Sequence, residues 1–252
     1  MVDSPLKNRR RLFLARHGEV TYFRPDGGFV DPDAVMLTAD GHRQASALRE
    51  ALKGWTFDRV ICSGLPRAVD TARAIVGETA IECWPAFREI GCGTPEGHEP
   101  RDWLNDFAFS FDLASEPGKR HSGGEAFVAF EGRVLAALDR LLADPAWRTV
   151  LIVSHEGVNR LLLGWTCGAP LAGMGCFDQD MGCLNIIDVN GPPGGACRPM
   201  IRAANISPLN LAKLGLHATS MERLALQSGW GVAIGDQGLW AGAPPALVAA
   251  ED

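Results

Sequence analysis

The chain has 252 residues, enough for one large α/β domain or one domain with an elaborate insertion. Its composition, 46% hydrophobic and 21% charged, is ordinary for a globular protein. The formal net charge of −6 argues against a general nucleic-acid binder, which needs a basic face, yet leaves room for a locally basic pocket that takes a small anion.

The elements alternate along the chain. RLFLA (11–15) reads as a buried strand. LTADGHRQASALREALKG (37–54) reads as a helix that Thr38 or Asp40 can cap, with Ala45, Leu48 and Leu52 on one face and Gly54 at its end. DRVICS (58–63) is a second strand, LPRAVDTARAIVG (65–77) a second helix with Pro66 in its first turn, and TAIECW (79–84) a third strand. Residues 85–123 break the rhythm. They are rich in Gly, Pro and aromatics and read as an insertion or lid. An amphipathic helix follows over 123–144, with Phe127, Phe130, Val134, Leu138 and Leu141 on one stripe. TVLIVS (149–154) is a strand, about 157–167 a helix, and 183–189 and 200–205 are late strands. This order predicts an α/β fold of three layers, a mainly parallel sheet between helices. The domain is expected over 1–216, and the Gly-, Ala- and Pro-rich residues 217–252 form a C-terminal extension that can pack loosely, swap onto a second copy in a homodimer, or stay without order.

Apolar runs are too short to span a bilayer, and the four or five apolar residues after the basic N-terminal stretch fall short of a signal peptide's core, so no membrane partner is expected. Seven cysteines lack metal-ligand spacing. Cys62, Cys83 and Cys167 sit in apolar stretches where a thiol serves as a small hydrophobe, which fits a reducing, cytoplasmic setting.

Two strands end alike, in FLARHG and LIVSHEG. Ligands of open α/β sheets bind beyond the carboxyl ends of strands, so Arg16, His17 and His155 are expected on one rim. Arg67 joins them from the helix start after VICS. A strand-end histidine or a helix-start arginine alone is ordinary. Two of each at matched strand ends make an anion site, and a guanidinium fork matches phosphate oxygens.

Five segments in order resemble the motifs of the histidine phosphatase superfamily, the phosphoglycerate-mutase-like proteins: LARHGE, LTADGHRQASAL, SGLPRAVDTA, FREIGCGTPEG and VSHEGVNRLLL. The resemblance spans roughly residues 11–189 and implies a phosphoglycerate-mutase-like fold. It makes His17 the nucleophile that becomes phosphohistidine, places Arg16, Arg67 and His155 on the phosphate, and gives Glu89 the proton for the leaving alcohol. No metal or cofactor is implied, because cationic side chains supply the charge stabilisation. His17 has to attack unprotonated, its other nitrogen held as a donor by a group such as a backbone carbonyl.

Two positions depart from the pattern. Phe23 stands where the family often has a phosphate-contacting Asn, so Thr21 is a candidate to replace that contact. Glu156 stands where the family usually has Gly. It is expected to turn outward, or else to meet a cationic group of the substrate. The insertion is mixed and aromatic rather than basic, which favours a phosphatase over a mutase, and His98, Trp103 and His121 are candidates to line its substrate site. The expectation is a metal-independent phosphomonoesterase acting on a small organic phosphate. The alternatives are a phosphomutase of the phosphoglycerate-mutase type and an inactive phosphate-ester-binding protein of the same fold.

Overall fold

The computed structural model describes residues 9–22, 24, 30–94 and 99–227. Six strands form one sheet in the order β3-β2-β4-β1-β5-β6. They are β1 (Arg9–Arg16), β2 (Arg59–Cys62), β3 (Glu82–Cys83), β4 (Thr149–Ser154), β5 (Leu184–Asn190) and β6 (Arg198–Ile206). The pairs β1–β4, β4–β2 and β2–β3 are parallel, and β5 runs antiparallel to both β1 and β6. The sheet is therefore mainly parallel.

The strands sit between two layers of helices because their side chains alternate. Leu12 and Leu14 of β1, with Val150 and Ile152 of β4, face a core built by α4 (Phe127–Ala143) and α5 (Glu156–Thr166). Phe13 and Ala15, with Leu151 and Val153, face the opposite core under α1 (Ala39–Ala51) and α2 (Pro66–Val76). Both faces of β1 and β4 are thus apolar, and each fully buried Leu or Phe there contributes about 1.5–3 kcal/mol. Thr38 caps α1, its hydroxyl accepting from the Gly41 N–H at 3.0 Å.

Several expected boundaries move. The strand expected over 79–84 contracts to Glu82–Cys83, because a turn through Gly77 (φ 63°) precedes it and Pro85 opens a 3₁₀ turn just after it. The helix expected from 123 starts at Phe127. Ser122 and Gly123 adopt left-handed φ of 45° and 77°, and Arg120 pairs with Ala126 as an antiparallel bridge. The inserted region carries a helix of its own, α3 (Pro100–Ala108), and α6 (Ser220–Gln227) packs against it. Of the cysteines expected to act as small hydrophobes, Cys62 is buried, whereas Cys83 and Cys167 are exposed. Cys83 lies on the two-residue edge strand, and Cys167 follows the last turn of α5, where the chain leaves the core. Among the described residues no helix is long and apolar enough to cross a membrane.

Candidate active site

The floor of the site is made by adjacent strand ends. Arg16 and Ser154 are the last register partners of β1 and β4, and His17 N–H donates to the Ser154 carbonyl at 3.0 Å. The next residue of each strand end is a histidine, so the rings of His17 and His155 lie with centroids 5.1 Å apart. Arg67 enters from the first turn of α2, and its Nε–H donates to His17 Nε2 at 3.2 Å. Arg16, His17, Arg67 and His155 are all buried.

This geometry fixes the tautomer of His17. Its Nδ1 lies 2.8 Å from the Gly18 carbonyl, which can only accept, so Nδ1 carries the proton. Nε2 is then the bare nitrogen. Burial first, then the charges of Arg67 and Arg16, hold His17 well below the ordinary imidazole value, so it is neutral at pH 7. His155 is held down in the same way, by burial and then by Arg67. The Ser63 hydroxyl lies 2.8 Å from its Nε2, while its buried Nδ1 has no protein partner. The buried Arg16 Nε also has none. Buried polar atoms without partners are rare, and here two of them belong to the side chains expected to hold phosphate.

Glu89 reaches the site from the loop after β3 and is half-buried. Its Oε1 accepts from the N–H groups of Ile90 and Gly157, each at 3.0 Å. The second of these is in the first turn of α5. Oε2 has only a longer contact, 3.3 Å, to the same Gly157 N–H, and is the oxygen better placed to carry a proton. Burial raises the Glu89 carboxyl above its ordinary value, and Glu156 adds to the rise while Arg16 opposes it. Gly157 is required by this contact, since a Cβ there would lie 2.6 Å from Glu89 Oε1.

Glu156 does not turn outward. It is 1% exposed, and its Oε2 lies 2.8 Å from Arg16 Nη1. Its Oε1 accepts from Arg160 Nε and Nη2 and from Ser220 Oγ. The reason is the four-residue spacing to Arg160 on α5, which puts the pair on one helix face, together with the buried guanidinium of Arg16 that faces it. Burial alone would raise the Glu156 carboxyl, but Arg16 and Arg160 outweigh it and the group is held ionised.

The motif glycines are explained by close backbone approach. A Cβ on Gly18 would lie 2.4 Å from the Gly41 carbonyl oxygen, and one on Gly41 would lie 2.2 Å from that of Glu19. Gly18 N–H donates to Thr71 Oγ1 at 3.0 Å, and Glu19 N–H to Gln44 Oε1 at 2.7 Å. The segments after β1, at the start of α1 and along α2 thereby lock one another behind His17.

The remaining candidates divide. Thr21 is exposed, and Phe23 and His98 lie outside the described residues. Tyr22, which no motif marks, is the neighbour at the site: the Arg67 guanidinium lies 6.0 Å from its ring centroid. It is the single tyrosine of the chain, the one signal that could have drawn notice. His121 is packed into the insertion, its Nδ1 2.7 Å from Ser110 Oγ and its ring stacked on Phe111. Trp103 stacks on Phe107 and is buried with Ala225 of α6. A cleft of about 250 Å³ opens nearby, between Glu19, Gln44, Asp180 and Arg223, but none of Arg16, His17, Arg67, Glu89 or His155 lines it. Among the described residues no group of three or more His, Cys, Asp or Glu is arranged to hold a metal ion.

The profile of the histidine phosphatase superfamily (branch 1) matches residues 12–196. The adenosylcobalamin/alpha-ribazole phosphatase of Escherichia coli (strain K12) is 35% identical over 184 residues, 71% of this chain and 90% of that one. The crystal structure of the alpha-ribazole phosphatase from Shigella flexneri superposes with a TM-score of 0.63 at 33% identity, covering 77% of this chain and 96% of that one. The phosphoserine phosphatase of Entamoeba histolytica, at 24% identity and a TM-score of 0.61, covers 78% of this chain and 96% of that one and shares the fold. The chain therefore belongs to branch 1 of the histidine phosphatase superfamily and is a phosphatase of that superfamily.

Proposed function

We propose that the protein hydrolyses a small organic phosphate monoester without a metal, through a phosphohistidine on His17. The observation that carries this reading is the bare Nε2 of His17, beside Arg67 and backed by the Gly18 carbonyl at Nδ1. The Nε2 lone pair attacks phosphorus as the P–O ester bond breaks. Glu89 gives its proton to the departing alkoxide, releasing the alcohol. Arg16, Arg67 and His155 Nδ1 take the charge of the transferred phosphoryl oxygens. Water then attacks the phosphohistidine, Glu89 takes its proton, and inorganic phosphate leaves with His17 neutral again. The similar proteins named alpha-ribazole phosphatase make α-ribazole 5′-phosphate the first ester to test.

The experiment is phosphate release from a panel of monoesters, including α-ribazole 5′-phosphate, 3-phosphoglycerate and p-nitrophenyl phosphate, in excess EDTA, with His17→Ala in parallel. Release by the wild type, and a loss on the order of 10⁴-fold or more in the folded variant, is expected. Activity abolished by EDTA and restored by a metal would overturn the reading, as would ordinary turnover in His17→Ala.

A further inference from the structure

A carboxylate beside a phosphate pocket works against the ligand unless it has another task, and Glu156 is such a carboxylate. Direct recognition of a cationic substrate group is ruled out by its surroundings. Glu156 is 1% exposed, and its Oε1 already accepts from Arg160 Nε at 2.9 Å, Arg160 Nη2 at 2.7 Å and Ser220 Oγ at 2.5 Å. Its Oε2 has no hydrogen-bond partner of good geometry and lies 2.8 Å from Arg16 Nη1. Arg16 Nη1 also donates to the Gln179 carbonyl, while the buried Nε of Arg16 has no protein partner. Arg160 has a second anion, Asp178, 3.3 Å away. The formal charges of Arg16 and Glu156 therefore offset one another, and those of Arg160 and Asp178 do likewise. Among the described residues of the site, Arg67 is left as the uncompensated cation.

Ser220 ties this arrangement to the C-terminal helix. It is the first residue of α6, 2% exposed, and its hydroxyl lies within reach of Glu156 Oε1 and, at 3.1 Å, of Asp178 Oδ1. Its backbone N–H also donates to Asp178. Building on the phosphatase reading of the site, we propose that Glu156 is a positioning residue that sets the anion affinity of the phosphate site: it competes with the bound phosphate for Arg16, and Ser220 of α6 tempers that competition by taking up part of the carboxylate's charge. The benefit is release of inorganic phosphate, the product that a site of two uncompensated arginines would hold.

The test is direct binding of inorganic phosphate to the full-length protein by titration calorimetry, so that its outcome does not depend on turnover. Glu156→Gln removes the charge and is expected to bind phosphate more tightly, by roughly tenfold or more, because the pair with Arg16 is buried and little screened. Ser220→Ala leaves the charge but frees it to act on Arg16, and is expected to bind phosphate more weakly and to raise KM more than it lowers kcat. Opposite signs for Glu156→Gln and Ser220→Ala support the proposal, because a purely structural role would weaken binding in both. Weaker or unchanged binding in folded Glu156→Gln overturns it, and so does tighter or unchanged binding in folded Ser220→Ala, which serves alone if Glu156→Gln does not fold. Should the wild type bind phosphate yet release none from any ester, the phosphatase reading fails while this ordering can still be read.

Discussion

The strand ends and the insertion both bury histidines, and the two regions use them differently. At the strand ends His17 presents a bare Nε2 and His155 a partnerless Nδ1, next to an arginine whose Nε is also unsatisfied. In the insertion His121 is engaged by Ser110 and stacked on Phe111, within a cluster that includes Phe107 and Phe127. Burial holds all three below the ordinary imidazole value, so neutrality alone does not separate them. What separates them is the company they keep: His17 Nε2 faces the Arg67 guanidinium and His155 Nδ1 has no protein partner, whereas His121 is held by a serine inside an aromatic cluster.

The largest effect that sharpens this contrast is at Glu89. Glu89→Gln is expected to slow esters of alkyl alcohols by about 10²–10⁴-fold while p-nitrophenyl phosphate, whose leaving group needs little protonation, slows far less. Equal slowing of both substrates in steady-state assays contradicts the acid role. Next is Gly157→Ala. The new methyl group meets the flexible end of Glu89 rather than backbone, so the melting temperature should hardly move while kcat falls about 10²-fold from the displaced acid. A variant with full activity would show that the contact to the first turn of α5 is dispensable.

The smallest effect on catalysis is predicted for the insertion. His121 is pushed down to about 4 from an ordinary 6.5 by burial, so the unfolded chain binds a proton in this window that the folded chain does not. Stability from this group is fully present above pH 6.5 and is lost as pH falls through 4, about 3 kcal/mol in all. Denaturant titrations of the wild type and His121→Gln should therefore converge as pH is lowered from 7 to 4, with phosphatase activity at pH 7 nearly unchanged. A parallel pH dependence in the two proteins, or a large loss of activity, would move His121 into the site.

Most of the fold and the floor of the site were legible in the chain. Alternation of Leu12, Phe13, Leu14 and Ala15 between two helix layers follows from a strand apolar at every position, and such strands lie in the middle of a parallel sheet. Arg16, His17, Arg67, Glu89 and His155 could be placed because each sits at a strand end, a helix start or a turn inside a motif of fixed spacing. The inward turn of Glu156 was not legible, although its four-residue spacing to Arg160 was in plain view, because its decisive partners, Arg16 and Ser220, come from β1 and α6. Tyr22 lies just outside the first motif and Ser63 opens the third, but neither residue's place in the chain betrays its partner, Arg67 for the one and His155 for the other. The helix at Ser220–Gln227 was hidden in a stretch whose small residues and glycines suggested loose packing, a swap onto a second copy or no order, yet Met221 and Ala225 are buried.

The most direct test of the central claim is to mix enzyme with excess ester, stop the reaction in alkali, where a phosphorus–nitrogen bond survives, and map the phosphoryl group by mass spectrometry. The account predicts one added phosphoryl group on His17 within the first turnover, absent in His17→Ala and accumulating with p-nitrophenyl phosphate in Glu89→Gln, where hydrolysis lacks its base. Full turnover with no phosphohistidine, or the phosphoryl group on another residue, would contradict it.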